Sequence, residues 1–226
     1  LLKTAGTAAS LAAIVIAGVL INTSPGRAED DDNHSESKIK QGFMIAPVPL
    51  KLAGKNRALV GLGSYLVNAQ GDCNGCHSSG PESEFAAGGN PYFNQHPTKV
   101  NPATYLAGGR DFGPFPGPGP FPNIISRNLT PDKTGRPAGG LTYQEFQMAM
   151  RTGKDIDHLH PTCAGAPNGS CLPAPFDGDL LQVMPWPIYQ NLNEQDMRAI
   201  YEYLSAIPCI AGPADPNNPL HNDCGN

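Results

Sequence analysis

Apolar residues recur at helical spacing in two widely separated stretches of the chain. Ala58, Leu59, Leu62, Tyr65, Leu66 and Ala69 lie on one stripe and predict a helix over 56–70. Met197, Ile200, Tyr201 and Leu204 lie on another and predict a helix from Glu194 to about Ala206, opened by Asn193 and Asp196 and ended before Pro208. Between them, Thr142-Tyr143-Gln144-Glu145 has the form of a capping box, which predicts a helix to about Arg151 that stops at Gly153. Period-two alternation is not prominent in any segment, and residues 78–140 read as irregular. Residues 29–52 read as a linker in which Pro47 and Pro49 interrupt any helix. The pattern predicts an all-α body whose helices are separated by long loops.

The first residues read differently. Thr4 to Ile21 is uncharged and largely apolar, with Lys3 before it and Arg27 and a run of acids after it. Ala8–Ile21 has the length of a signal-peptide core, and Gly26-Arg27-Ala28 offers small residues for cleavage. Counted from Leu1, the stretch reaches roughly 30 Å as a helix, enough to span a bilayer. Both readings export the body: as a periplasmic domain anchored to the inner membrane by an N-terminal hydrophobic helix, or as a soluble periplasmic protein after cleavage. The organisation expected is 1–28 anchor or signal segment, 29–52 acidic and Pro-containing linker, 53–208 folded domain, and 209–226 a tail pinned by a disulfide.

Composition narrows the fold class. Gly (26) and Pro (24) make up 22% of the 226 residues, while charged residues are only 15%. A body so rich in loops needs an organiser beyond its own side chains, whether disulfides, a metal or a large cofactor. Net charge is −5, yet Glu29, Asp30, Asp31, Asp32 and Glu36 carry five acids in a short run, which predicts a solvated, extended tether. The rest is almost neutral, with no Lys/Arg cluster among aromatics, which excludes nucleic acid as a partner.

The cysteines carry the chemistry. Cys73-Asn74-Gly75-Cys76-His77 is the C-x-x-C-H pattern of covalent haem c attachment. Two thiols at this spacing can add to two vinyl groups on one porphyrin edge, and the histidine that follows presents an imidazole to the iron from the same turn. Zinc would need a second ligand pair at similar spacing, and a thioredoxin-like dithiol belongs in a βαβ context that is not evident here. One such pentapeptide predicts one covalently bound haem c. Cys163, Cys171, Cys209 and Cys224 remain, an even number suited to an oxidising compartment. Of the three possible pairings, 163–171 and 209–224 are favoured because each closes a local polar loop.

In chain order, Gly63-Ser64-Tyr65-Leu66-Val67, the pentapeptide 73–77, Asn128-Leu129-Thr130-Pro131-Asp132, Met184-Pro185-Trp186 and the closing Asp196…Tyr203-Leu204 resemble the class I c-type cytochromes. The likeness is strongest to the modules of cytochrome c subunits of membrane-bound alcohol dehydrogenases and covers roughly residues 56–208. It implies a cytochrome c-like fold whose first and last helices cross near the haem, with Gly63 allowing close approach to Tyr203 or Tyr201. It also places Asn128 and Thr130 near the haem propionates, where Arg110 could offset their charge.

His77 supplies one axial position. Met184, in a loop stiffened by Pro185, is the expected second ligand; Met148, Met150 and Met197 fall within helices, and Met44 in the linker. His158 or His160, in Asp157-His-Leu-His-Pro161, is the competitor. With His77 and Met184 both engaged, the iron exchanges electrons without binding O₂ or peroxide. The expected function is therefore one-electron transfer by a monohaem cytochrome that serves redox partner proteins at a membrane oxidoreductase complex, and not catalysis. A fixed subunit of a larger respiratory, dehydrogenase or photosynthetic complex, and an open-site haem enzyme or sensor, are the rival readings. The Phe/Pro/Gly stretch at 110–122 is a candidate docking surface.

Overall fold

A computed structural model describes residues 26–213 together with 222, 224 and 225. The apolar run Thr4–Ile21 therefore lies outside the described residues, as does the expected anchor or signal segment 1–28 apart from its last three. Among the described residues, no helix is long and apolar enough to cross a membrane.

Helix α2 (Arg57–Tyr65) forms where the apolar stripe predicts it. Asn56 caps it, its side-chain oxygen accepting from the Leu59 N–H at 3.2 Å. The helix then widens into a π-helical turn, Leu66–Gln70, and ends at Gly71. Asp72, in the left-handed region at φ 45°, swings the chain into the single turn α3 (Cys73–His77). A short turn, α4 (Pro137–Gly140), precedes α5 (Tyr143–Thr152). The capping box of α5 is present in full, with Thr142 and Glu145 bonding reciprocally and Gly153 closing the helix at φ 72°. The one-turn α6 (Trp186–Tyr189) and then α7 (Glu194–Leu204), capped by Asn193, complete the helices.

Helices α2 and α7 cross at the centre of the core, among Val60, Leu62, Val67, Met197, Tyr203 and Leu204. Gly63 makes the crossing possible: a Cβ there would overlap the Ala199 carbonyl and lie 2.7 Å from the Tyr203 Cβ. The close neighbour is thus Tyr203, not Tyr201, whose hydroxyl donates outward to the Leu141 carbonyl at 2.9 Å. Gly63→Ala is expected to lower stability by about 1–3 kcal/mol, the usual cost of overpacking. The midpoint of a urea unfolding curve measures it, and an unchanged midpoint would contradict the crossing.

Beneath the crossing lies a buried polar cluster. The hydroxyls of Tyr105 and Tyr203 meet at 2.8 Å, and Tyr105 donates to Asn68 Oδ1 at 2.5 Å. Both tyrosines have no solvent exposure, so their polar tips require these partners. Burial pushes both phenols above their ordinary range, so they stay neutral.

Three features depart from the sequence-based expectation. The stretch read as an acidic linker is helical over Gly26–Ile45 (α1), and the helix docks on α2. A Cβ on Gly42 would overlap the Gly61 carbonyl, one on Gly61 would lie 2.7 Å from Ile39 and Phe43, and Ser64 Oγ donates to Gly42 O at 2.7 Å. Close backbone contact, with Ile39 and Phe43 packed on the core, gives the helix a tertiary reason to persist despite its acidic composition. Second, the body is not purely helical. Strands β1 (Asp111–Pro114) and β2 (Asn123–Ile125) pair antiparallel across the Pro/Gly stretch, Asp111 opposite Ile125 and Pro114 opposite Asn123. Third, that stretch is anchored at particular points: the Phe115 and Phe176 rings meet edge-on at 4.8 Å, and the Gly169 N–H donates to Pro120 O at 2.7 Å, while Pro116, Pro118 and Gly119 stay exposed. The disulfides are those favoured, Cys163–Cys171 and Cys209–Cys224.

Candidate functional site

A cleft of about 350 Å³ opens at the end of α2 and is walled by residues from well-separated parts of the chain. Its lining is dominated by apolar side chains, among them Leu66, Ile125, Leu129, Leu141, Phe146 and Leu181. Cys73, Cys76 and His77 line it from α3, and Met184 lines it from the loop before α6. The structure therefore brings together four residues that are up to 111 positions apart in sequence. Cys73 and Cys76 are the two cysteines outside the disulfides, Cys76 being exposed and Cys73 packed against the core. Desolvation, reinforced by the neighbouring Asp72 and Cys76, pushes the Cys73 thiol up to about 12.

The pentapeptide is held from several sides. Asn74 Oδ1 accepts from the Leu106 N–H at 2.9 Å, and the Gly108 N–H donates to the His77 carbonyl at 2.7 Å. His77 Nδ1 lies 2.7 Å from the Arg127 carbonyl oxygen. A carbonyl can only accept, so the proton sits on Nδ1 and Nε2 is left as the lone-pair nitrogen. Desolvation by the cleft walls holds the imidazole below its ordinary titration range, with the Arg127 carbonyl opposing the shift. A neutral ring with one nitrogen committed to a carbonyl is the form a metal ligand requires.

Met184 has a similarly fixed backbone. Its N–H donates to the Gln182 carbonyl at 2.7 Å, its carbonyl accepts from the Trp186 N–H at 2.9 Å, and Val183 before it takes φ 66°. Trp186 does not line the cleft; its indole lies over Gly153, where a Cβ would overlap the ring, and its Nε1 donates to Leu181 O at 3.2 Å. Met150 also lines the cleft, but from within α5 and as a buried member of the core. Met44 and Met148 are exposed, and Met197 is buried away from the cleft. Of the two competing histidines, His160 lines the cleft and its Nδ1 is buried without a partner, whereas exposed His158 pairs with Asp179 at 3.1 Å.

The other three residues assigned to the pocket are placed elsewhere. Asn128 and Thr130 are fully buried but do not line the cleft; they bond to each other and to Ile210, tying the loop to the C-terminal segment. Arg110 also stays outside the lining, donating to the Gly75 carbonyl and lying over the Phe112 ring, so it braces the α3 turn. Arg127 does line the wall, where it pairs with Asp157 and donates to the Ala138 carbonyl at 2.9 Å. Lys154, Asp155, Asp157 and His160 join it in a polar section of the wall, and Gln70, Asp72, Ser126 and Gln182 add further polar groups to a mainly apolar cavity. Arg127 was within reach of sequence reasoning as the neighbour of Asn128, but Asp157, thirty positions on, carries no local signal.

A mainly apolar cleft with two thiols, a neutral imidazole and a thioether in its walls fits an iron porphyrin. Among the described residues no group of three or more Cys, His, Asp or Glu is arranged to hold a bare metal ion.

Comparison with known proteins agrees with this chemistry. No protein-family model matches the chain. It is 33% identical over 150 residues to the gluconate 2-dehydrogenase cytochrome c subunit of Pantoea cypripedii, covering 66% of this chain and 23% of that one. It is 27% identical over 152 residues to the fructose dehydrogenase cytochrome subunit of Gluconobacter japonicus, covering 67% and 22% respectively. Against the alcohol dehydrogenase (quinone) cytochrome c subunit of Gluconacetobacter polyoxogenes it is 29% identical over 159 residues, covering 69% and 24%. The chain thus spans about a quarter of the length of the curated relatives it matches.

Proposed function

Starting from a chain homologous to cytochrome c subunits of gluconate, fructose and alcohol dehydrogenases, we propose that it carries one haem c and passes single electrons between a dehydrogenase and a further acceptor. It is an electron-transfer protein and not the catalytic one. The observation that carries the proposal is the convergence of Cys73, Cys76, His77 and Met184 on one apolar cleft. Cys73 and Cys76 would form the thioethers, His77 Nε2 and Met184 Sδ the axial bonds. Bound there, haem supplies an iron that alternates between Fe(II) and Fe(III) one electron at a time.

The chain's own residues account for the rest. The Arg127 carbonyl fixes the His77 tautomer and ring plane, and the Pro185 loop fixes Met184. Arg127 offers a charge to carboxylates at the polar section. Val183 and Ile188 are 45% and 70% exposed beside Met184, an apolar rim on which a redox partner can rest briefly. Met184 is preferred over Met150, which is locked inside α5, and over His160, which shares the polar section with Asp155 and Asp157. The disulfides and the thioether chemistry both suit an exported chain, so residues 1–28 are read as its export or anchoring segment on the periplasmic side.

Reductive titration of the purified protein is expected to take up one electron per chain, with a haemochrome assay giving one haem per chain. No haem, or an uptake of two electrons, would overturn the proposal.

A further inference from the structure

The proton on His77 Nδ1 is held by a carbonyl that belongs to no helix or strand. Strand β2 ends at Ile125 and α4 begins at Pro137, so the loop between them depends on side contacts for its position. On one side the Leu129 N–H donates to Leu106 O at 2.8 Å, and the Ala138 N–H donates to Leu129 O at 3.2 Å. On the other side lies the C-terminal segment. Asn128 Nδ2 donates to Ile210 O at 2.7 Å, and Asn128 Oδ1 accepts from the Thr130 N–H at 2.9 Å. The Ile210 N–H in turn donates to Thr130 Oγ1 at 3.1 Å.

Asn222 completes the arrangement. It is 2% exposed, and its Nδ2 donates to Thr130 O at 2.7 Å and to Pro131 O at 3.3 Å. Its backbone N–H donates to Ala211 O at 3.1 Å. The Cys209–Cys224 disulfide closes this segment on itself, bracketing Ile210, Ala211 and Asn222 within a loop of 15 positions. A bridged loop presents Asn222 with less ordering entropy to overcome than a free tail would.

We infer that Asn222 and the Cys209–Cys224 bridge are positioning elements for His77: they fix the 127–131 loop so that the Arg127 carbonyl accepts squarely from Nδ1, and so set the reduction potential of the haem. The inference rests on the haem reading given above. A firm bond from Nδ1 makes the imidazole a more basic ligand, which favours Fe(III) and lowers the potential. Loosening the loop weakens that bond and raises the potential. No residue of the tail needs to touch the cleft for this to operate.

The test uses the full-length holoprotein. Asn222→Asp keeps the side-chain volume but removes the amide donor that serves Thr130 O, Thr130 Oγ1 and Pro131 O and turns a carboxylate towards the two carbonyls. The double variant Cys209→Ser, Cys224→Ser leaves Asn222 in place and releases the loop. In both, haem content is expected to equal that of the parent, and the Fe(III)/Fe(II) equilibrium to move towards Fe(II) by about tenfold, equivalent to 59 mV for one electron. Solvent exchange of the His77 Nδ1 proton, followed by NMR, should accelerate in parallel. Parental potentials in variants that bind haem normally would overturn the inference, as would loss of haem from both while the parent retains it. A parent protein without haem would instead defeat the underlying reading, so the two failures are distinguishable.

Discussion

Replacing Cys73 and Cys76 together with alanine is expected to abolish covalent haem: one equivalent per chain in the parent, none in the variant after acid–acetone extraction. In the proposed arrangement His77 and Met184 would bind the iron reversibly, so without thioethers nothing would resist extraction. The effect extends to folding. The cleft is built from the end of α2, the β2 edge, α5 and the loop before α6, and its walls are apolar. A chain denied the porphyrin must leave those walls in water or collapse them. At about 24 cal/mol per Å³, a void of 350 Å³ corresponds to a cost of up to about 8 kcal/mol. That is as large as the whole stability of many domains. The variant should therefore show far-UV circular dichroism of reduced amplitude and no cooperative thermal transition. A variant that kept both its haem after extraction and its transition would remove the basis for assigning these cysteines.

Met184→Ala should have the second largest effect, and it is specific to the iron. If His77 and Met184 hold the iron as proposed, the reduced parent should bind no carbon monoxide. The reduced variant should bind it stoichiometrically, and its potential should fall with loss of the soft sulfur ligand. Since the Gln182 and Trp186 backbone bonds around position 184 do not involve the side chain, the loop itself should survive the change. His160→Ala and Met150→Ala serve as controls. An unchanged Met184→Ala spectrum together with an altered His160→Ala spectrum would transfer the sixth ligand to His160, the other imidazole in the wall.

What could be read from the chain divides along the range of the interaction. The Thr142–Glu145 capping box, the Asn193 cap and both disulfides involve partners at most 15 positions apart, and each is present as expected. The pentapeptide was legible because its chemistry is fixed by the spacing of two thiols. Roles that depend on distant partners were not. Asn128 and Thr130 were recognised as a motif, but the carbonyls and amides they meet lie some eighty residues away, and Asn222 lies 92 residues from Thr130. Arg127 faces the cleft while its neighbour Asn128 faces the tail, a division that no local pattern encodes. The short strands were hidden for another reason. Asp111–Pro114 contains glycine and proline, and its partner is three residues long, so neither carries an alternating signal.

The contact between Gly42 and Gly61 moves a practical boundary. Anyone trimming the gene for expression would be tempted to begin just ahead of Asn56, where the helix leading to the pentapeptide starts and where the acidic run has been left behind. A chain cut there would strip one flank from α2, expose Gly61 and Ser64 to water, and leave the Ser64 hydroxyl without the Gly42 acceptor. The smallest unit worth producing therefore begins upstream of Ile39, well ahead of the helix that leads to the pentapeptide.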